Sequence, residues 1–386
     1  MNTEKIKLFF QGRKGLLPRI EAACKGQQDI IWFHVASYGE FEEARPVIEA
    51  TRKSFPQRKI LLTVFSPTVY VPMQHYPAVD WVFYLPLDTP WNVRRFLDAV
   101  RPAKAIFTLT DFWPFLLNGL RRKKVDTYIM SVHIEAGSHH LKWHDFVFRS
   151  IIRRCYKCVM VQDAESERLL RKLGVPEVKV TGDPRMDRVM AVSQEQWSHP
   201  ILDQWCGGEK VFIAGSTYAP ENQMILEIAN AHPSHKFLIV PHEIDSAETD
   251  ALLEGSRHGA TRFTDYHPGA QILVLDTVGM LARLYRYGYA AYVGGAFTEG
   301  APHSVVEPAS YGIPVAFGPQ YRRDAHCRDL VALGAGVSVS SREALEAFFE
   351  KAQGDAAFRE QSGRIAADYC RSRAGATEAI MEIIFG

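Results

Sequence analysis

Two short stretches bring together residue types that can handle a nucleotide and activate a hydroxyl. In the first, apolar Ala290–Val293 reads as the end of a buried strand and runs into Gly294-Gly295 and then Ala301-Pro302-His303-Ser304-Val305-Val306-Glu307-Pro308. Two glycines after a strand let backbone N–H groups approach a phosphate without Cβ interference, although turn chemistry alone also explains such a pair. The spacing predicts a helix over 303–312, with Glu307 one turn in, where a carboxylate can accept hydrogen bonds from both hydroxyls of a ribose. In the second, Ala36-Ser37-Tyr38-Gly39-Glu40 follows the strand 30–35. Glu40 at a helix start is either a capping acid or, at the carboxyl edge of a first strand, a general base that takes a proton from an attacking hydroxyl.

Other strand ends carry further candidates. Ser216 and Thr217 follow strand 210–214 and either receive a phosphate or carboxylate or simply cap the helix that contains Glu221. His242 ends strand 236–240, as a donor to an anionic ligand or as a satisfied structural residue. Asp111, beside Trp113, either bonds a sugar or caps a helix. Cys155 and Cys158 have metal or redox spacing, but no second pair accompanies them, and the structural reading is favoured.

These residues must be positioned by alternating elements. Strands are expected at 30–35, 59–65, 81–87, 104–109, 127–132, 159–162 and 178–181, with helices at 41–54, 90–100 and 112–124 between them. Strands alternating with helices of this length imply a parallel sheet covered on both faces. The alternation stops in a polar stretch and resumes with strands at 210–214, 236–240, 271–275, 290–293 and 314–317. The fold class is therefore α/β, with two Rossmann-like doubly wound domains facing a central cleft. The expected division is 1–190, a linker at 191–208, and 209–386 with C-terminal helices that can pack back on the first domain.

The 386 residues make two domains the natural expectation. Lys plus Arg number 45 against 44 Asp plus Glu, which gives no global attraction to nucleic acid, and no such partner is expected. Six scattered cysteines and no signal peptide point to a cytoplasmic chain. No run approaches the roughly 18 apolar residues that span a bilayer. The start mixes apolar residues with cations, including Arg13 and Lys14, and either rests on an anionic lipid surface or forms an ordinary amphipathic helix.

These pieces in this order resemble the 3-deoxy-D-manno-octulosonic acid (Kdo) transferases of lipopolysaccharide synthesis, a family with the GT-B glycosyltransferase fold. The likeness rests on Ala36 to Glu40, Leu61 to Thr68, Asp111-Phe112-Trp113-Pro114, Ala214 to Thr217, Gly294-Gly295 and His303 to Ala309. It implies transfer of Kdo from CMP-Kdo to a lipid A precursor with inversion, at the cytoplasmic face of the bacterial inner membrane, with no cofactor and no catalytic metal. Carried over by position, Glu40 is the base. Ser216, Thr217, His242, Gly294, Gly295, His303, Ser304 and Glu307 hold the donor, and Arg13, Lys14, Ser66, Thr68 and Asp111 meet the acceptor. Many members have Asn at Ser304, Glu at Asp111 and Arg near His242. They usually begin with a hydrophobic anchor, so a truncated chain or a peripheral version is expected. A non-hydrolysing UDP-sugar epimerase and a non-catalytic nucleotide-sugar-binding protein are the competing readings.

Overall fold

The computed structural model describes residues 3–109, 111–138, 146–244, 246–297 and 300–386. The chain forms two compact units: residues up to Asp187 together with Ala374–Gly386, and Arg188–Arg373.

The first unit opens with helices α1 (Thr3–Arg13) and α2 (Leu16–Cys24). It continues as β1 (Ile30–Val35), α3 (Tyr38–Ser54), β2 (Ile60–Val64), α4 (Pro67–Met73), β3 (Trp81–Tyr84), α5 (Pro90–Val100), β4 (Pro102–Thr108) and α6 (Pro114–Arg122). β5 (Asp126–Val132), α7 (Phe146–Arg154), β6 (Cys158–Val161), α8 (Ala164–Lys172), β7 (Val178–Val180) and α9 (Pro184–Gln194) follow, the last crossing into the second unit. The seven strands form one sheet in the order β3-β2-β1-β4-β5-β6-β7, and the pairings within it are parallel. Helices cover both faces, so β1, Ile-Ile-Trp-Phe-His-Val, is buried at every position. Each large apolar side chain buried there contributes roughly 1.5–3 kcal/mol. Cys155 and Cys158 are free buried thiols in this core.

The second unit runs α10 (Pro200–Cys206), β8 (Val211–Thr217), α11 (Ala219–Ala231), β9 (Phe237–Pro241), α12 (Ser246–Gly255), β10 (Ala260–Arg262), β11 (Ile272–Val274) and α13 (Leu281–Leu284). After these come β12 (Gly288–Val293), α14 (Val306–Ser310), β13 (Val315–Phe317), α15 (Ala325–Ala332), β14 (Gly336–Ser338), α16 (Arg342–Gly354) and α17 (Ala356–Ser372). Its sheet has the order β10-β11-β9-β8-β12-β13-β14. The stretch read as a linker is largely helical, as α9 and α10. Pro200 at the first turn of α10 and Gly207, left-handed just past its end, are helix punctuation rather than loop composition.

The chain then returns to the first unit as α18 (Ala376–Phe385), which lies on α3. Ile380 and Ile384 join the first core, and the Phe385 ring meets Phe55 at 4.9 Å. Asp187 accepts from Gly375 N and Thr377 N, the latter at 2.6 Å, so the carboxylate that closes the first segment caps the returning helix. Among the described residues no helix is long and apolar enough to cross a membrane.

Candidate active site

Strand order reverses direction at one place in each sheet, between β1 and β4 and between β8 and β12. Ligands of open parallel sheets bind outside the carboxyl ends of strands at such switch points. Glu40, in the first turn of α3, and Asp111 follow β1 and β4; Ser216 and Thr217 end β8, and Gly294, Gly295 and His303 follow β12.

In the first unit, Ser37 caps α3 by accepting from Glu40 N at 3.2 Å. The Glu40 side chain turns back, and its Oε2 accepts from Ala36 N at 2.6 Å. The capping role is therefore real. Burial, and next the negative charge of Asp111, push the Glu40 pKa up from 4.5 to about 7, against the Ala36 bond, His34 and Ser37. Such a carboxylate is half ionised at neutral pH, where a general base works best.

Asp111 is held by a residue that sequence reading passed over. His34 lies within β1, fully buried, in register with Thr63 of β2. Its Nδ1 is 2.9 Å from Thr63 O and 2.8 Å from Thr63 Oγ1, and Trp32 Nε1 donates to that hydroxyl at 2.8 Å. His34 Nε2 lies 2.8 Å from Asp111 Oδ2, a close approach that is not aligned as a hydrogen bond. The signal was a lone polar residue in an otherwise apolar strand, whose partner depends on which strand lies alongside. Glu43, one turn beyond Glu40, was also missed; burial first, against nearby Arg185, pushes its pKa up to about 8. At the ends of β4 and β5, Leu109 and Ser131 both take left-handed backbone (φ 59°), the kind of strain that gathers at functional loops.

Ser66 joins this loop through its N–H to Ala36 O at 3.0 Å, and its hydroxyl shares a 2.8 Å bond with Thr68 Oγ1. Both hydroxyls are accessible. Arg13 is not free to meet an acceptor: its guanidinium donates to Leu85 O, Phe9 O and Phe65 O and sits 3.7 Å from the Phe9 ring centroid. Burial lowers its pKa to about 10. The reason is that α1 packs its last turn onto the ends of β2 and β3, where three rings and three carbonyls surround the cation. Lys14, beside it, is exposed.

In the second unit the glycines serve close approach rather than donation. Gly294 N donates to Gly215 O at 2.9 Å and Gly295 N to the buried Glu221 carboxylate at 3.0 Å, so neither amide is left for a phosphate. A Cβ on Gly294 would lie 2.3 Å from Ser216 O, and Gly295 has φ 109°. Glu221 also accepts from Tyr218 N at 2.9 Å and Tyr292 Oη at 2.8 Å, tying β8, α11 and β12 together. Thr217 is buried with its hydroxyl donated to Asn222 Oδ1 at 2.5 Å, whereas Ser216, left-handed at φ 53°, stays partly accessible.

His242 and His303 are brought together. His242 N donates to Thr217 O at 2.8 Å and His303 N to Gly294 O at 3.0 Å, and the two rings stack with centroids 4.3 Å apart. Tyr218, another residue missed in the sequence, completes the group. Its ring stacks on His303 at 5.8 Å, and its hydroxyl shares a 3.1 Å bond with His303 Nε2. Burial, then His242, lowers the His303 pKa to about 4, so the ring is neutral at pH 7. The expected helix over 303–312 is only α14, because His303 is pinned to the end of β12. Ser304 is exposed before it, and Glu307, its second residue, acts electrostatically on the buried Tyr285 whose hydroxyl packs against Gly215. Thr110, Thr298 and Glu299, parts of the motifs, lie outside the described residues.

Residues 10–188 match the family model "3-Deoxy-D-manno-octulosonic-acid transferase (kdotransferase)". The chain is 27% identical to 3-deoxy-D-manno-octulosonic acid transferase of Haemophilus influenzae, with 94% of this chain and 88% of the relative covered. Identity to the Aquifex aeolicus enzyme of the same name is also 27%, with 83% and 84% covered. Among solved structures, UDP-GlcNAc 2-epimerase from Neisseria meningitidis superposes with a TM-score of 0.63 at 14% identity over 92% of this chain and 98% of that one. MurG from Acinetobacter baumannii does so with 0.56 at 12%, over 92% and 99%. These two likenesses show the shared GT-B-type fold. Residues 10–188 thus carry a Kdo transferase domain, and over 94% and 83% of its length the chain is similar to proteins named as Kdo transferases, which are glycosyltransferases.

Proposed function

We propose that the protein transfers Kdo from CMP-Kdo to a hydroxyl of the glucosamine disaccharide of a lipid A precursor, with inversion, at the cytoplasmic face of the inner membrane. The observation that carries this reading is Glu40, at the β1/β4 switch point, with a proton affinity near neutrality. Its carboxylate takes the proton of the acceptor hydroxyl as that oxygen attacks the anomeric carbon. The bond from that carbon to the phosphate oxygen breaks, and CMP leaves with the electron pair. Asp111, whose charge acts on Glu40, Ser66, tied to Ala36, and its partner Thr68 are the groups for the acceptor saccharide, and exposed Lys14 is a cation for its phosphates.

The donor belongs to the second unit, with Ser216, His242, His303, Ser304 and Glu307 as the accessible polar groups around the β8/β12 switch point. Gly294 and Gly295 let that surface close in, and Glu221 holds them. A site that presents fixed dipoles to a departing phosphate stabilises charge as it develops.

Incubation with CMP-Kdo and a detergent-dispersed tetraacylated lipid A precursor, read by lipid mass and CMP release, tests the proposal. A mass gain of one or more Kdo units is expected. Glu40→Ala should remove most turnover, roughly a hundredfold or more as for loss of a general base, while CMP-Kdo binding stays within a few fold. Full turnover by that variant sinks the base assignment, and lipid that gains no Kdo from folded wild-type protein sinks the reading.

A further inference from the structure

α7 is the most one-sidedly charged helix of the first unit. Its nine residues, Phe-Val-Phe-Arg-Ser-Ile-Ile-Arg-Arg, contain three arginines and no acid. Phe148, Ile151 and Ile152 face the core, while Arg153 and Arg154 are exposed and Arg149 is half-buried. Its start shows the opposite chemistry: Phe146 is 72% and Val147 42% exposed. Phe146 and the three arginines line an open groove of about 560 Å³ together with Ser150, Gly174 and Pro176. Arg153 Nε donates to Gly174 O at 3.2 Å and Arg154 Nε to Ser150 O at 3.1 Å. These bonds steady the stems of both side chains. Among the described residues no carboxylate pairs with any of the three.

α6 repeats the pattern alongside. The Phe112 and Phe148 rings, 5.4 Å apart, join the starts of the two helices, and Phe115 at the start of α6 is 52% exposed. At the other end, Arg121 of α6 acts on the same Cys155 as Arg154, and exposed Arg122 follows. Basic last turns alone would answer helix dipoles. Exposed aromatics at the starts of the same two helices have no such explanation. Nor is the basic face a by-product of a basic protein, since the whole chain is balanced at 45 cations to 44 anions.

We infer that the α6–α7 face is the surface on which the protein rests on an anionic lipid bilayer, the arginines on headgroup phosphates and Phe115, Phe146 and Val147 among the glycerol and upper acyl groups. An apolar edge beside a row of cations is the chemistry of an interfacial helix, and each arginine near an anionic leaflet adds to the attraction. The inference rests on the proposed function only in that a lipid acceptor gives such a surface a purpose. It also moves the membrane contact away from Arg13 of the first helix, whose charge is already engaged.

The test is co-sedimentation of the full chain with vesicles of phosphatidylcholine alone and with phosphatidylglycerol added. Binding to the anionic vesicles only, weakened by salt, is expected. Arg149→Glu/Arg153→Glu/Arg154→Glu should bind at least about tenfold more weakly. Phe146→Ser/Val147→Ser, which keeps every charge and every bond to Gly174, should bind several-fold more weakly even if the charge-reversed variant fails to fold. Turnover of both on detergent-dispersed acceptor should remain within about twofold of wild type, since neither change reaches the switch-point loops. Wild-type protein that ignores anionic vesicles, or variants that bind them undiminished, overturn the inference. So does a loss of detergent turnover with vesicle binding intact, which would make the groove an acceptor site. A wild type that binds vesicles but transfers no Kdo in detergent removes the proposed function and leaves the docking face standing.

Discussion

Asp111→Asn isolates the electrostatics of the base. If Glu40 takes the acceptor proton, the rate follows its ionised fraction. With a pKa of about 7 that fraction is about one half at pH 7 and about one tenth at pH 6, so kcat/KM should fall roughly fivefold over that step and about tenfold per unit below it. Two effects raise the pKa, burial first and the Asp111 charge second, while His34 opposes. Removing the Asp111 charge leaves burial in place, so the acidic limb should move down by on the order of one pH unit without reaching 4.5. At pH 6 the variant then keeps a larger share of its own maximal rate than wild type does of its own. The assay is CMP release across pH 5–9 in constant ionic strength, with limb positions compared rather than absolute rates, because the substituted amide also alters the acceptor side. A wild-type limb near 4.5, no limb at all, or an Asp111→Asn limb displaced to higher pH would refute the reasoning.

The same carboxyl has a stability signature. A folded-state pKa raised from 4.5 to about 7 contributes stability that is full below 4.5 and is lost as pH rises through 7. Glu40→Gln, neutral throughout, should raise the unfolding temperature at pH 8, by up to about 3 kcal/mol in free energy, and leave it nearly unchanged at pH 4; an equal gain at both would contradict the assignment. In the second unit, a Cβ at Gly215 would lie 2.2 Å from the Tyr285 hydroxyl. Gly215→Ala should therefore destabilise by about 1–3 kcal/mol and weaken CMP binding, and adding Tyr285→Phe should recover part of both; calorimetric unfolding and titration decide. His303, lowered to about 4 by burial and His242, should show a neutral imidazole by NMR down to pH 5. Replacing His242 by Gln should move that titration upward, and no movement would mean the stacked rings do not communicate.

The strands and the motif loops were legible because their signal is local. Apolar runs such as Ile30–Val35 and Ala290–Val293 announce buried parallel strands, and Ser37 three residues before Glu40 announces a helix start. The residues that tune the site were not legible. His34 matters because β1 lies beside β2 and β4, and Tyr218 because the β9 and β12 loops converge on it; both facts belong to strand order, which local pattern does not encode. The same limit explains why the partners of several of these groups were not legible. Nothing in Gly294-Gly295 says that Gly215 O and Glu221 wait for their amides, nothing in Thr217 says that Asn222 takes its hydroxyl, and nothing in Arg13 says that the carbonyls of Phe65 and Leu85 claim its charge. Polar residues advertise capacity, and packing decides how much is left over.

The returning helix α18 makes the first unit discontinuous in sequence, with all of Arg188–Arg373 inserted before its last piece. During synthesis the second unit is therefore contiguous and can close as soon as it has emerged, while the first must wait until nearly the last residue has been made. Until then α3 has an uncovered flank around Thr51 and Phe55, where Met381 and Phe385 will dock, and Asp187 has no amides to receive. The unit that bears Glu40 is thus the last to be completed, so a polypeptide cut short before Ala376 would carry a finished second unit and an unfinished first one.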